Sequence, residues 1–440
     1  MGVQVVRLSD GKTLFERDAN RLFLPASNEK LLTSAAALVE LGPDYEFRTV
    51  VGTSGQDLIV VGGGDPTISG RFTDGDPTVY FRRWARVLKE QHVTRVAGDL
   101  VVDDSFFDRQ FIHPNWPKSD LGHWYAAPIA ALALNDNCID VRIEPGLKPD
   151  APAKVALIPD TRLFEIANRT KTVGSAKEHA PRVLRAPGRN VIQCDGGFYL
   201  HSQPTTSWVT VDDPVMYFAT VLREVFAEEG VSIAGRIRRT AGAGQGKEFK
   251  PRVVHRFPLL PALGVMNKES QNFCAEQVLK TLGAEHGDGS WNGGRQVAVQ
   301  ALSKLGLDSK GFVLDDGCGL SRSDRVTPQT LTSLLVAMQR GPLGEEFRET
   351  LSVAGLDGTL RKRLTEEPYR GRVWAKTGSI TGARALSGYV KCRSGEWLAF
   401  SLLVNNPRAS VRTIQDDFCK TLVDLGDSEK VVRRDAARGK

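Results

Sequence analysis

The sequence contains little cysteine, and the spacing of its cysteines indicates neither a metal site nor a disulfide scaffold. Six cysteines are scattered over 440 residues without a C-x-x-C pair, which argues against a zinc knuckle and a dense disulfide framework. One or two disulfides could still form, and a pair between Cys138 and Cys194 is left open. The cysteines therefore do not fix the redox environment of the protein.

Long apolar runs are also missing. No stretch of about 18 uninterrupted apolar residues occurs, so no membrane-spanning helix is predicted. The first residues, Met1 to Arg7, lack the positively charged and apolar regions of a secretory signal. This start predicts either a cytoplasmic protein or a chain whose beginning has been trimmed.

The sequence has no strong excess of charge of either sign. Lys and Arg number 58 and Asp and Glu number 52, which gives a net charge of +6 without a long basic run. No nucleic-acid partner is predicted, although an anionic polymer stays possible. With 41% hydrophobic and 25% charged residues, the composition is that of an ordinary globular protein. At about 150 residues per domain, the length predicts two or three domains.

Several common catalytic motifs are absent. The sequence contains no H-E-x-x-H, no G-x-S-x-G and no G-x-x-x-x-G-K-[ST], which argues against zinc peptidases, esterases with a nucleophile elbow and P-loop enzymes. The seven histidines show no spacing typical of metal ligands, so Ser-His-Asp hydrolysis is disfavoured as well. No metal or organic cofactor is predicted.

The remaining candidate chemistry is a serine activated by a lysine. Its minimal pattern is S-x-x-K on a helix, because residues three apart share a helix face. Ser9 and Lys12 match it on a predicted hairpin turn, where Ser, Asp and Gly are ordinary turn formers. Ser27 and Lys30 match it at the start of a helix predicted over 27–41. The next residues there are apolar, so desolvation would lower the pKa of Lys30 and let it take the serine proton.

The second match also has a purely structural interpretation. Ser27 would then cap the helix, and Glu29 and Lys30 would be solvated residues of its first turn. The two interpretations differ in whether Lys30 lies in a dry site.

In enzymes that use S-x-x-K, an S-x-N and a K-T-G motif accompany it. S-x-N occurs twice. Ser290 and Asn292 lie in a Gly-rich loop, where small polar residues need no functional reason. Ser270 and Asn272 begin a helix predicted over 270–282, so their polar groups would project from the helix end toward a cleft. The alternative for Ser270 is helix capping.

The third motif, K-T-G, occurs once, at Lys376, Thr377 and Gly378 on a strand predicted over 373–380. Glycine permits close approach of a ligand backbone, while the lysine and threonine offer a charge and a hydroxyl to a carboxylate. The alternative is an edge-strand lysine beside a turn glycine. The order S-x-x-K, S-x-N and K-T-G on helix, helix and strand is far more specific than any single match.

With its motifs in this order, the chain resembles the serine penicillin-recognising enzymes. It resembles more closely the class C low-molecular-mass penicillin-binding proteins of the penicillin-binding protein 4 type, which are D-Ala-D-Ala carboxypeptidase/endopeptidases. The wide interval between Ser27 and Ser270 is similar to that class, and Cys318 stands where the class usually has serine. The further segments that carry the resemblance are GGGDPT, AAPIAALALNDNC, MNKESQNFCAE, DDGCGLSR, VAGLDGTL and AKTGSITGARALSGYV.

The resemblance implies a role for each residue of the first two motifs. Ser27 would be the acylated nucleophile and Lys30 its general base. Ser270 would pass a proton to the leaving D-alanine, and Asn272 would hold the substrate amide beside Lys30.

The resemblance also implies that the K-T-G strand binds substrate. Lys376 would supply positive potential and Thr377 would bind the terminal carboxylate, with Gly378 permitting close approach. The backbone N–H groups of Ser27 and Ser379 would form the oxyanion hole.

Three aspartates outside the motifs also receive an interpretation. Asp120 looks like the inserted-domain acid that meets the amino group of a diaminopimelyl side chain. Asp315 and Asp316 are interpreted as supports of the fold rather than as catalysts.

The implied fold class is α/β (α+β). A β-lactamase/transpeptidase-like catalytic domain, an antiparallel sheet with helices, would be interrupted by inserted α/β and mainly-β accessory domains. Short β-rich runs between Val141 and Val211 favour the mainly-β part. The predicted boundaries are residues 1–57 and 258–440 for the catalytic domain, 58–145 and 212–257 for inserted domain II, and 146–211 for nested domain III.

The predicted function is a serine-type D-Ala-D-Ala carboxypeptidase with DD-endopeptidase activity that works through an acyl-serine. Its partners would be peptidoglycan peptides ending in D-Ala-D-Ala and β-lactam antibiotics, and its oligomeric state is not predicted. Because this substrate lies outside the cytoplasm, a trimmed start and an extracytoplasmic location are expected. Two alternatives keep the fold: a β-lactamase-like hydrolase, and a non-catalytic protein that binds the cell wall or senses β-lactams.

Overall fold

The computed structural model describes residues 1–185 and 188–425. These residues form two compact units. The first unit comprises Met1–Tyr45, Asn115–Pro117 and the chain from Pro258 onward, and the second comprises Glu46–Pro114 and Lys118–Phe257. The end of the predicted catalytic segment, residues 426–440, lies outside the described residues.

Nine α-helices occur in the described residues, and none of them is long and apolar enough to cross a membrane. The predicted helices 27–41 and 270–282 correspond to helices that begin two residues later. The helices are α1 (Glu29–Leu41), α2 (Val79–Glu90), α3 (Pro214–Glu228), α4 (Leu259–Lys268), α5 (Asn272–Ala284), α6 (Trp291–Lys304), α7 (Pro328–Arg340), α8 (Gly344–Glu349) and α9 (Arg412–Asp424).

The described residues also form strands, most of them short, and the strand predicted over 373–380 is observed with those bounds. The strands are β1 (Gly2–Arg7), β2 (Thr13–Arg17), β3 (Glu46–Ser54), β4 (Asp57–Val61), β5 (Arg95–Val96), β6 (Leu100–Asp103), β7 (Cys138–Glu144), β8 (Lys154–Ile158), β9 (Glu165–Asn168), β10 (Lys171–Val173), β11 (Arg182–Arg185), β12 (Val191–Asp195), β13 (Gly197–Tyr199), β14 (Thr205–Thr210), β15 (Ser232–Ile233), β16 (Ile237–Arg239), β17 (Lys250–Pro258), β18 (Phe312–Val313), β19 (Arg325–Val326), β20 (Ser352–Val353), β21 (Val373–Ile380), β22 (Ala383–Lys391) and β23 (Trp397–Asn405).

A six-stranded antiparallel sheet forms the centre of the first unit. Its strand order is β2-β1-β23-β22-β21-β20. Strand β1 from the start of the chain pairs with β23 from its last third, so that Gly2 lies opposite Leu403. The first unit therefore needs both ends of the chain to complete its sheet.

The two faces of this sheet pack against different helices, because side chains alternate along each strand. On β22, Leu386 and Val390 share a hydrophobic core with Leu422 of α9. The side chain of Tyr389, the residue before Val390, lies on the opposite face of the sheet. Its hydroxyl donates a 2.8 Å hydrogen bond to the carbonyl of Leu335 in α7. Helix α9 thus covers one face and α7 the other.

The second unit combines several small sheets with α2 and α3. Its largest sheet has the order β16-β6-β4-β3-β17, and two three-stranded sheets have the orders β14-β7-β8 and β11-β12-β9. Phe81 of α2 and Phe218 of α3 share one buried hydrophobic cluster with Ile192 and Phe198. Because Ile192 and Phe198 belong to the predicted nested domain 146–211, that segment shares its core with the rest of the unit, and its separation as a third domain stays a prediction.

The predicted domain boundary at residue 57 is wrong by about twelve residues. Strand β3 pairs antiparallel with β4, with Val51 opposite Val60, inside the sheet of the second unit. The backbone N–H and C=O groups of β3 form their hydrogen bonds in that sheet, and such groups need these partners when they are buried. The first unit therefore ends at Tyr45 and resumes at Pro258.

The disulfide left open by the sequence is not formed. Cys138 and Cys194 are buried thiols. Burial raises the pKa of both, and that of Cys194 reaches about 11. Both thiols are therefore protonated and unreactive at neutral pH.

Gly388 provides a test of the packing between β21 and β22. A Cβ added there would lie 2.0 Å from the carbonyl oxygen of Trp374 and 2.6 Å from the Cα of Ala375, both on β21. We expect Gly388→Ala to destabilise the protein by about 1–3 kcal/mol, the usual cost of overpacking. The Tm in thermal unfolding measures this effect.

Gly264, in the interior of α4, is the matched control. A Cβ added there meets nothing within 4 Å, and alanine is a better helix former than glycine by about 1 kcal/mol. Gly264→Ala should leave the Tm unchanged or raise it. Equal effects of the two substitutions would contradict this account of the β21–β22 contact.

Candidate active site

Ser27 lies in a tight turn ahead of α1. Residues Ala26–Asn28 form a single 3-10 turn, and Asn28 rather than Ser27 occupies the N-cap position of α1. The helix-capping alternative for Ser27 is therefore wrong. Ala26 has a φ of +48°, a left-handed conformation that costs a non-glycine residue about 1–3 kcal/mol. Strained backbone thus precedes the candidate nucleophile.

The side chain of Lys30 contacts three parts of the chain: the turn of Ser27, the start of α5 and the loop at Cys318. Its side chain is fully buried, and its Nζ lies 3.0 Å from the Oγ of Ser27, 2.7 Å from the Oδ1 of Asn272 and 2.8 Å from the carbonyl oxygen of Cys318. The alternative in which Lys30 is a solvated first-turn residue is therefore wrong.

The contacts of Lys30 fit a neutral amine. Burial lowers its pKa below the ordinary lysine value, since the charged form loses its water. The oxygens of Asn272 and Cys318 can only accept hydrogen bonds, so they take the two protons of a neutral amine. In the neutral amine the nitrogen lone pair would then face the Oγ of Ser27, 3.0 Å away, and could accept its proton. This is the arrangement that a general base requires.

A second lysine holds Ser270. The Nζ of Lys376 donates to the Oγ of Ser270 at 2.7 Å and to the carbonyl oxygen of Thr377 at 2.9 Å. Burial lowers the pKa of Lys376 well below its ordinary value, and a positive charge on Lys30 would lower it further. Gln271, not Ser270, caps α5 by accepting from the N–H of Phe273 at 3.3 Å, so the capping alternative for Ser270 is wrong.

Strand β21 runs directly beside the turn that carries Ser27. The side-chain amide of Asn28 donates to the carbonyl oxygen of Lys376 at 2.9 Å. A Cβ added to Gly378 would lie 2.8 Å from the carbonyl oxygen of Pro25. Glycine at 378 thus allows the close approach that holds β21 next to Ser27.

Thr377 and Ser379 point away from the buried lysines. Lys376 is fully buried, whereas Thr377 is half-buried and Ser379 is exposed, as expected when neighbouring side chains alternate between faces. The hydroxyl of Thr377 donates to the Oγ1 of Thr359 at 2.9 Å. The strand therefore places its lysine inside the site and its hydroxyls on an accessible face.

The other motif matches lie apart from this cluster. Ser9 and Lys12 belong to the turn between β1 and β2, where the backbone N–H of Lys12 donates to Asp10 at 3.0 Å. Ser290 caps α6 by accepting from the N–H of Gly293 at 3.0 Å. Both matches have the structural roles that the sequence suggested for them.

Asp120 belongs to the second unit. It ends the 3-10 turn Lys118–Asp120, and its Oδ1 accepts from the hydroxyls of Ser119 at 3.4 Å and Tyr125 at 3.5 Å. Asp120 is half-buried, and the role implied for it stays a prediction.

Asp316 supports the loop that carries Cys318. Its two carboxylate oxygens accept from four consecutive backbone N–H groups, residues 318–321, and from the indole N–H of Trp116 at 2.9 Å. These bonds fix the carbonyl of Cys318 that accepts from Lys30. The contacts agree with the interpretation of Asp316 as a support of the fold.

Glu29 is a feature of the site that the sequence interpretation missed. Glu29 is fully buried, and neither of its carboxylate oxygens has a hydrogen-bond partner within the described residues, so the alternative that makes it a solvated first-turn residue is wrong. Burial raises the pKa of Glu29 well above its ordinary value, and the nearby carboxylates of Asp316 and Glu276 raise it further. These surroundings therefore favour the protonated form of Glu29.

Glu276 belongs to the same acidic cluster. Burial raises its pKa to about 8, although its oxygens accept from the N–H of Gly317 at 2.9 Å and from the indole of Trp291 at 2.7 Å. Burial is the largest cause that lowers the pKa of Lys30, whereas the nearby acids Asp316 and Glu276 raise it.

The cluster also contains the described group whose geometry comes closest to a metal site. One ligand atom each from Glu276, Asp316 and Cys318 lie within 4.8 Å of one another. The carboxylates already accept hydrogen bonds from N–H groups, which a cation would have to displace. We therefore assign no metal to these residues, and the absence of a metal stays a prediction.

The comparisons with known proteins fit this fold and site. Residues 1–424 match the D-Ala-D-Ala carboxypeptidase 3 (S13) family. A D-alanyl-D-alanine carboxypeptidase of an Actinomadura species is 34% identical over 426 residues, which cover 92% of this chain and 77% of that protein. The D-alanyl-D-alanine carboxypeptidase DacB of Haemophilus influenzae is 25% identical over 413 residues, which cover 92% of this chain and 85% of that protein.

Solved structures show the same fold. The crystal structure of penicillin-binding protein 4 from Haemophilus influenzae matches with a TM-score of 0.82 at 23% identity and covers 96% of both chains. A predatory peptidoglycan endopeptidase from Bdellovibrio bacteriovorus matches with a TM-score of 0.52 at 16% identity, covering 99% of this chain and 91% of that one. The predicted fold class is confirmed.

Fold and site together define a serine peptidase of the penicillin-recognising class. The chain belongs to the D-Ala-D-Ala carboxypeptidase 3 (S13) family. The resemblance read from the motifs and the enzyme class, a D-Ala-D-Ala carboxypeptidase, are thereby confirmed.

The raised pKa of Glu29 predicts a pH-dependent effect of Glu29→Gln. A carboxyl whose pKa is higher in the folded than in the unfolded state stabilises the fold less as the pH rises above the unfolded value of about 4.5. Glutamine has nearly the same shape and does not ionise. The difference in stability, variant minus wild type, should therefore increase from pH 5 to pH 8.5. Urea midpoints at the two pH values measure it, and a difference that stays constant would contradict the buried neutral acid.

Proposed function

We propose that the protein hydrolyses peptidoglycan stem peptides ending in D-Ala-D-Ala through an acyl-enzyme on Ser27, and that β-lactams acylate the same serine. The observation that carries the proposal is the buried amine of Lys30, held 3.0 Å from the Oγ of Ser27 by Asn272 and Cys318. Family membership supports the substrate class.

Acylation begins when neutral Lys30 accepts the hydroxyl proton of Ser27. The Oγ forms a bond with the carbonyl carbon of the penultimate D-alanine, and the developing oxyanion accepts from the N–H groups of Ser27 and Ser379. Such donors act on charge that appears only in the transition state, and one is typically worth about 3–4 kcal/mol. Gly378 and Asn28 support this step because they hold β21 beside Ser27.

Departure of the amine needs a proton. Ser270 lies 2.7 Å from the Nζ of Lys376, so its hydroxyl can pass a proton to the leaving nitrogen while the C–N bond breaks. The proton that Lys30 accepted from Ser27 replaces it, so that Lys30 is neutral again before deacylation. Asn272 holds the substrate amide, and the hydroxyls of Thr377 and Ser379 face the carboxylate of the leaving D-alanine.

Deacylation uses the same groups in reverse. Water gives a proton to Lys30 and attacks the acyl carbonyl, the bond to the Oγ of Ser27 breaks, and Ser27 regains its proton. An amine of a second stem peptide is chemically equivalent to the amine of D-alanine as a leaving group, so the site also suits DD-endopeptidase cleavage of cross-links. This substrate places the protein outside the cytoplasm.

Ser27→Ala tests the nucleophile. We expect the variant to lose covalent labelling by a fluorescent penicillin and at least about 10³-fold in D-Ala release from a pentapeptide, because no other group can form the acyl-enzyme. Intact-mass spectrometry and a D-alanine assay measure the two losses.

Ser9→Ala is the matched control for this experiment. Ser9 also begins an S-x-x-K pattern but lies in a hairpin turn, so its variant should keep the label and the activity. Loss of label only in the Ser9 variant would overturn the assignment. A penicilloyl adduct that turns over rapidly would favour the β-lactamase alternative, and a stable adduct without D-Ala release would favour the sensor.

Asp120→Asn tests recognition of the stem peptide. If Asp120 meets the side-chain amino group of the substrate, kcat/KM for peptides with that free amine should fall about twofold to fivefold, the usual worth of an exposed ion pair. Peptides with the amine acetylated should be unaffected. Asp160→Asn, at an exposed aspartate of the second unit, should change neither substrate. Equal losses on both peptides would remove Asp120 from recognition.

A further inference from the structure

A cavity rich in arginine opens beside the hydroxyl face of the K-T-G strand. Its volume is about 490 Å³, a size typical of ligand sites. Thr377 and Ser379 form one wall. Four arginines line the rest, with no acidic residue among the lining side chains: Arg363, Arg384, Arg408 and Arg412.

The register of the sheet explains why the hydroxyls and one arginine share this cavity. Ser379 of β21 lies opposite Arg384 of β22, and Thr377 lies opposite Leu386. Directly opposite residues in an antiparallel pair project to the same face. Leu386 belongs to the core under α9, so the cavity lies on the α9 face of the sheet, at the end of β21 nearest Ser27.

The arginines are held in place with donors to spare. The Nη1 of Arg384 donates to the carbonyl oxygens of Ile380 at 2.6 Å and Ala383 at 2.8 Å, which leaves its Nε and Nη2 hydrogens for a ligand. Arg363 is 8% exposed, and its charge is balanced by Asp416 at 2.7 Å. Arg408 and Arg412 are exposed at the entrance.

The cavity therefore carries excess positive charge next to the group that departs in the reaction. Three arginines remain after Arg363 pairs with Asp416, and the first turn of α9, which has no acidic residue, adds N–H groups at Arg412. The single carboxylate of D-alanine meets Thr377 and Ser379 and does not extend into a space of this size. A larger anionic leaving group would.

We propose that the cavity is the subsite for the leaving peptide of a cross-link, and that Arg384, Arg408 and Arg412 bind carboxylates of that second stem peptide beyond the scissile bond. Arginine suits this task because its planar donors bind carboxylates in bidentate fashion. The inference rests on the proposed function and deepens it: the enzyme selects cross-links whose leaving strand is acidic.

The test compares three substrates in the full chain. They are a pentapeptide that releases D-alanine, a cross-linked peptide dimer with free carboxylates on its leaving strand, and the same dimer with those carboxylates amidated. The variant is Arg408→Glu/Arg412→Glu, whose exposed positions spare the core. The control is Arg17→Glu, an exposed arginine on β2 at the opposite edge of the sheet.

We expect the double variant to lose about tenfold or more in kcat/KM on the free dimer. D-Ala release, penicillin labelling and cleavage of the amidated dimer should change about twofold or less. Arg17→Glu should change none of these.

Each other outcome overturns the inference. Equal losses on pentapeptide and dimer would place the arginines on the carboxylate shared by both substrates. A loss that persists after amidation, no loss on the dimer, the same loss in Arg17→Glu, or a wild type that releases D-alanine but does not cleave the dimer would each remove the subsite. A wild type without Ser27-dependent D-Ala release would instead refute the proposed function.

Discussion

The burial of one amine, the Nζ of Lys30, is the constraint on which the candidate site depends. An ammonium group without water is costly, so a lysine in such a place loses its proton unless it has a full set of acceptors and a counter-ion. Lys30 has two fixed acceptors, from Asn272 and the loop at Cys318, and burial raises the pKa of the neighbouring acids Glu29 and Glu276. The same desolvation that disfavours the folded state thus lowers the pKa of Lys30 and suits it to act as a base.

This constraint ties the chemistry to the topology. Ser27 comes from the turn ahead of the first helix, Lys30 from that helix, Asn272 from the fifth helix and Cys318 from a loop beyond the sixth. The sheet that holds them pairs the first strand with the last one. Because each acceptor of Lys30 arrives from a different part of the first unit, the site exists only when that unit is folded, and local fragments cannot carry it.

Much of the site could be predicted from the sequence, because motif and secondary structure are local. Lys30 and Lys376 lie on the expected elements, Ser27 lies in the turn just ahead of its predicted helix, and β21 has the expected bounds. The burial of Glu29 was not predicted, since the first turn of a helix normally exposes an acid. Burial and the charges of the distant Asp316 and Glu276 together raise its pKa. The domain boundary is misplaced because β3 lies between its hairpin partner β4 and the distant β17 in the sheet of the second unit. The pairing with β17 is a long-range contact that the residues of β3 do not reveal.

The alternation of side chains along β21 separates catalysis from recognition. Lys376 and Gly378 face the turn of Ser27, while Thr377 and Ser379 face the arginine-lined cavity. A strand is suited to this division because successive side chains of a strand lie on opposite faces of the sheet. A loop has no such regular alternation. Changes on the outer face can therefore tune which leaving group is accepted, while the inner face keeps the lysines dry. In this arrangement the specificity of the enzyme is free to vary without disturbing the pKa values on which its nucleophile depends.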